Sequence, residues 1–342
     1  MAFACLVVVL ATILAIHNYQ IIGTANAAVG IGVNYGMVGD NLPPSKEVIN
    51  MYKQYNIPNM RLFDPNPNAL SAVKGTQISL SLGVRNEDVP SIASSQAGAD
   101  AWFTTNVQPY VGAVNIAYIT LGNEIVPSEF AGSILGAMQN LQNTLTTHQL
   151  TNIKLTTVIS MATLASSYPP STGAFTPAAA AVMKGILGFL SQNQSPLMLN
   201  VYPYFAYASD PTDIRLDYAQ FTAPGPVVHD GNLSYQNLFD AMVDAVFWAM
   251  ESLGFNNVGL VVSESGWPSA GNGNMTTPAL ASVYNKNYLQ HITSGVGTPK
   301  RPGGILGGYI FAMFNEDQKP AGVEQNWGLF TPDMKPVYPV FG

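Results

Sequence analysis

Short apolar runs rich in β-branched residues alternate along this chain with longer stretches whose apolar positions recur every three or four residues. Eight runs read as strands: residues 29–34, 60–64, 78–84, 116–124, 155–160, 198–205, 258–264 and 308–316. Residues 43–55 open with prolines suited to a first helical turn, and residues 235–253 keep the clearest helical period before Gly254 stops it. Strands alternating with helices pair in parallel, and eight of them predict a single-domain (β/α)8 TIM barrel of the α/β class. Chemistry in such a barrel sits at the carboxyl ends of the strands. Glu124, Glu264 and Glu316 all fall at such ends.

Composition narrows the partners. Hydrophobic residues make up 47% of the 342 and charged ones only 10%, which is ample for one large core. The net charge of −7 contains no lysine or arginine cluster, so neither nucleic acid nor an anionic membrane surface is a fitting partner, whereas a neutral polymer is. Residues 1–16 are apolar apart from Thr12, and Ala25-Asn26-Ala27 supplies small residues at signal-peptidase spacing. Residues 1–27 therefore read as a secretory signal, too short to span a bilayer, and residues 28–342 as the mature domain, secreted to the apoplast or cell wall. The only cysteine, Cys5, leaves with that signal, so no disulfide, thiolate nucleophile or cysteine metal ligand is expected. Sequons at Asn193, Asn232 and Asn274 lie in polar, loop-like stretches, and Ser234 also reads as a helix N-cap. With the chain ending soon after the last barrel element, no appended carbohydrate-binding module is expected, and a monomer is the simplest assembly.

Two glutamates close strand-like runs in distinctive settings: Gly122-Asn123-Glu124 and Ser263-Glu264-Ser265-Gly266-Trp267-Pro268. Glycosidic bond hydrolysis needs two carboxyl groups, one holding a proton and one ionised, in environments that separate their pKa values. The alternative is that each merely caps a helix or pairs with Arg61 or Lys319. Other chemistries lack their motifs: there is no His-Glu-x-x-His, no P-loop and no Gly-x-Ser-x-Gly. Gly30-Ile31-Gly32 is half a dinucleotide fingerprint, with Tyr35 where the last glycine belongs. His148, His229 and His291 show no metal-ligand spacing, so no cofactor or metal is expected. Tyr35, Tyr202, Phe205, Trp267 and Phe314 lie at or beside strand ends, where aromatic faces can stack on pyranose rings. Asn123 is placed to donate to a sugar hydroxyl beside the scissile bond.

With Ile31-Gly32-Val33-Asn34-Tyr35-Gly36, Arg61-Leu62-Phe63-Asp64, Asn200-Val201-Tyr202-Pro203-Tyr204-Phe205 and Phe314-Asn315-Glu316-Asp317-Gln318-Lys319 added, the chain resembles the plant endo-1,3-β-glucanases of glycoside hydrolase family 17, the pathogenesis-related glucanases. The resemblance implies a retaining hydrolase of 1,3-β-glucan (callose, fungal wall glucan or laminarin), with Glu124 as general acid/base and Glu264 as nucleophile about 5 Å apart. Glu316 and Lys319 match a supporting pair, in which a cation holds Glu264 ionised. Glu324 matches a further family acid but stays outside the catalytic set, because the loop before it is shorter than the family's. Three alternatives stand beside this reading: a 1,3;1,4-β-glucanase, a glucan transglycosylase on the same site, and a silent glucan-binding barrel.

Overall fold

The computed structural model describes residues 30–341; the leader assigned to residues 1–27 lies outside them, as does Val29 of the first run. Eight strands close a parallel barrel: β1 (Ile31–Asn34), β2 (Asn59–Leu62), β3 (Ser79–Val84), β4 (Asn115–Asn123), β5 (Lys154–Ser160), β6 (Leu197–Asn200), β7 (Leu260–Ser265) and β8 (Gly307–Ile310). Each strand pairs with its sequence neighbours among the eight, and β1 closes onto β8 through Ile31 opposite Gly308. All eight runs read from the hydrophobic pattern contain a strand, and two of them are cut back by several residues at the carboxyl end. The sixth stops at Asn200, so Phe205 sits on a short helix, Pro203–Ser209; the eighth stops at Ile310, and Phe314 makes only an isolated bridge to Phe330.

The helices are α1 (Ser45–Gln54), α2 (Pro67–Val73), α3 (Val89–Ser94), α4 (Gln96–Asn106), α5 (Ile134–Thr147), α6 (Pro177–Asn193), α7 (Leu238–Ser252) and α8 (Pro278–Ser294). Side chains of Asn66, Ser95, Thr176, Asn237 and Thr277 accept backbone N–H groups at the starts of α2, α4, α6, α7 and α8, groups that a helix cannot satisfy itself. The cap of α7 is thus Asn237; Ser234 instead lies in a hairpin strand, with its hydroxyl 2.9 Å from His229 Nδ1. The main core joins these helices to the outer faces of the strands. A second cluster, Ala117, Tyr118, Val158, Met198, Val261 and Tyr309, comes from strands alone and fills the barrel interior.

Two irregularities position the site. β4 slips register against β5 between Thr120 and Asn123, and β7 slips against both neighbours just beyond Val262. Such bulges re-aim the residues that follow, here Glu124 and Glu264. The long excursion between β6 and α7 carries two short helices and the hairpin Val228–Asp230/Leu233–Tyr235.

Candidate active site

Glu264 ends the regular part of β7 and is buried. Its Oε1 accepts Arg61 Nη1 at 2.7 Å and its Oε2 accepts the Tyr202 hydroxyl at 2.7 Å. Arg61, from β2, is more deeply buried still, so the two form an ion pair that compensates both charges out of water. Burial and the neighbouring Glu264 charge push the Tyr202 phenol well above its usual range, which keeps it a donor.

Glu124 follows β4 in the left-handed region at φ 56°, unusual for a residue with a Cβ, with its backbone N–H bound to Val158 O at 3.0 Å. Its side chain is accessible from the cleft on one side while protein surrounds it on the others. That surrounding protein raises its pKa first, and the Glu264 charge adds to the effect; Asn200 Nδ2, 2.6 Å from Oε1, and Arg61 oppose it. The two carboxyls thus occupy different environments, one gripped by a cation and a phenol, the other inclined to keep its proton.

Both line one cavity of about 1430 Å³ at the carboxyl ends of the strands. Tyr35, Asn123, Tyr202, Phe205, Glu316 and Lys319 line it too. Trp267 and Phe314 do not. Trp267 is fully buried, its Nε1 donating to Met275 O and its ring packed against Tyr204 and Tyr284; Phe314 packs edge-on beneath Tyr35. Being next to a strand end in sequence did not bring these two rings to the mouth. The carboxamide oxygen of Asn123 accepts Arg61 Nη2 at 2.8 Å, and its backbone is clasped by Asn86 on both sides, so it braces the site.

Glu316 is buried, accepting Val38 N–H at 2.7 Å and lying 3.3 Å from Lys319 Nζ. A Cβ at Gly36 would stand 2.4 Å from that carboxylate, which is why the loop after β1 carries no side chain there. The cation in contact with Glu264 is therefore Arg61, while Lys319 pairs with Glu316 and lies over the Phe311 ring. The pairing of Glu264 with Arg61, raised as a purely structural alternative, is present: Glu264 lines the cavity, and Arg61 is buried outside its lining. Trp327, Phe311, Phe63 and Glu324 also line the cavity. Trp327 belongs to no strand or periodic segment, so no sequence signal pointed to it.

Residues 31–341 match the profile of the glycosyl hydrolases family 17. The chain belongs to this family. A protein of Arabidopsis thaliana named "Probable glucan endo-1,3-beta-glucosidase BG4" is 50% identical over 93% of this chain and 93% of its own. Lichenase-2 of Hordeum vulgare is 47% identical over 91% of this chain and 97% of its own. Among solved structures, CJP38, a β-1,3-glucanase and allergen of Cryptomeria japonica pollen, superimposes with a TM-score of 0.88 at 47% identity, over 92% of this chain and 99% of that one. This family 17 glycosyl hydrolase therefore shares sequence and fold with its relatives over nearly all the described residues. None of its described helices is long and apolar enough to cross a membrane.

Proposed function

We propose that this family 17 hydrolase cleaves internal 1,3-β-D-glucosidic bonds with retention of configuration, using Glu264 as nucleophile and Glu124 as acid/base. The observation that carries the reading is the pair of glutamates after β4 and in β7, lining one cavity with opposite environments. In the first step a Glu264 oxygen forms a bond to the anomeric carbon as the bond to the leaving oxygen breaks, and that oxygen takes the proton of Glu124. In the second, water attacks the anomeric carbon, gives its proton to Glu124, and releases Glu264 as a carboxylate. Aromatic rings of Tyr35, Tyr202, Phe205, Phe311 and Trp327 in the same cavity offer faces for pyranose C–H groups.

A secreted, monomeric protein acting on wall glucan, either callose or the glucan of an invading fungus, is the setting that residues 1–27 and the absence of basic clusters suggest. Amino-terminal sequencing of protein collected from the apoplast checks the leader. The activity is tested with laminarin and mixed-linkage β-glucan side by side, following reducing ends, product sizes and, by NMR, the first anomer released. Internal cleavage of laminarin with a β-anomer first is expected, and Glu264→Ala should lower it by at least about 10⁴-fold. Preference for the mixed-linkage polymer would shift the substrate towards that of a lichenase, and longer products at high oligosaccharide concentration would mark a transglycosylase. Binding of laminarin without cleavage would overturn the hydrolase reading.

A further inference from the structure

The carboxyl of Glu124 has two oxygens, and the amides around it determine which one carries the proton. Arg61 has only donors, so the Asn123 atom 2.8 Å from its Nη2 is the carboxamide oxygen. That oxygen lies 3.3 Å from an amide atom of Asn200, which must then be nitrogen. The same Nδ2 is 2.6 Å from Glu124 Oε1. On the other side of this amide, Asn200 Oδ1 accepts the Ser263 hydroxyl at 2.7 Å. Both Nδ2 hydrogens are committed, one to each acceptor, and Ser263, Asn200 and Arg61 are all buried. Each donor direction in the network follows from the fact that a guanidinium cannot accept.

We propose that Ser263 and Asn200 are positioning residues that hold Glu124 by Oε1 and so assign its transferable proton to Oε2. The inference rests on the acid/base role given to Glu124 above. In the neutral acid, Oε1 accepts the Asn200 N–H while Oε2 carries the hydrogen. When the glycosidic oxygen takes that proton, the contact at Oε1 persists, and the incoming water returns a proton to Oε2 without any rotation of the carboxyl. Asn200 also adjusts acid strength, because a donor on a carboxylate favours its ionised form against the burial that disfavours it. The network ties the two halves of the site together: Arg61 grips Glu264 with Nη1 and starts the amide chain with Nη2, and Ser263 directly precedes Glu264.

The test compares Ser263→Ala and Asn200→Ala with the wild type on two substrates, laminarin and a 2,4-dinitrophenyl β-laminarioligoside, whose leaving group departs without a proton. The alkaline limb of kcat/KM should move to higher pH by about one unit in Asn200→Ala, and less far in the same direction in Ser263→Ala. The loss on laminarin should exceed the loss on the activated substrate by at least about tenfold. Equal losses on both substrates with an unmoved alkaline limb would overturn the proposal. A wild type inactive on both would instead overturn the acid/base reading itself. Melting curves establish that the variants fold; if Asn200→Ala does not, Ser263→Ala removes one hydroxyl, leaves the amide in place and gives the same readouts.

Discussion

Arg61 bears more of the site than its side chain's burial suggests. It meets Glu264 through one terminal nitrogen and Asn123 through the other, and its guanidinium lies 4.4 Å from the Phe63 ring centre. Replacing it with methionine leaves the buried Glu264 charge with the Tyr202 hydroxyl but no countercharge, and breaking a buried ion pair in this way typically costs about 3–5 kcal/mol. Chemical denaturation of Arg61→Met should show a loss of that order, and adding Glu264→Gln to the same chain should restore much of it. With Glu264→Gln alone completing the cycle, single losses that simply add up to that of the double variant would show that the pair does not couple. The glutamates and Arg61 stand out in the sequence because each sits in a short motif at a strand end. That Arg61, rather than Lys319, meets Glu264 is a matter of which strands face each other across the barrel.

At the level of elements, α7 carries a buried acid that takes no part in the chemistry. Asp244 is fully buried and accepts the backbone N–H of Lys300 at 2.8 Å, and burial, with a further contribution from Asp240, raises its pKa from 3.8 to about 6. A carboxyl whose pKa is raised by folding stabilises the native state below its unfolded pKa, and that contribution is lost as pH rises through the folded value. Relative to Asp244→Asn, the wild type should lose about 3 kcal/mol of unfolding free energy between about pH 3 and pH 8, measured by urea denaturation at each pH. Parallel pH dependences in the two proteins would remove Asp244 as the cause. The period of α7 was legible in the sequence, whereas its burial on nearly all sides, which raises that pKa, depends on the helices and hairpin packed around it.

Over the whole molecule, the cavity extends from the loop after β1, at Tyr35 and Val38, past the glutamates to Tyr168 and the excursion before α7. A cleft of that reach contacts several sugar units at once, so kcat/KM on laminari-oligosaccharides should rise with length, by at least about tenfold from trimer to hexamer, or ~1.4 kcal/mol of extra transition-state binding. Rates independent of length would confine recognition to the sugars flanking the bond. Glycan addition can be read on the same scale. Asn232 and Asn274 are exposed, whereas Asn193 ends α6 half-buried, with its side-chain amide donating to Phe189 O at 2.8 Å. Mass spectrometry of the protein from a plant host should find glycan at the first two and not at Asn193.

The sequence by itself determined the order of strands and helices and the two glutamates at the ends of the fourth and seventh strand runs, because hydrophobic period and strand-end motifs are local properties of the chain. Only the tertiary structure decided which neighbours those glutamates meet. Barrel closure and the two bulges bring β2, β4, β6 and β7 together at one mouth, and so choose Arg61 and Tyr202 for Glu264 and Asn200 for Glu124. The same closure buries Trp267 and Phe314 and brings Trp327, from outside any strand, into the cavity wall. Direction and distance across a closed sheet are set by register and shear, which no stretch of sequence carries alone.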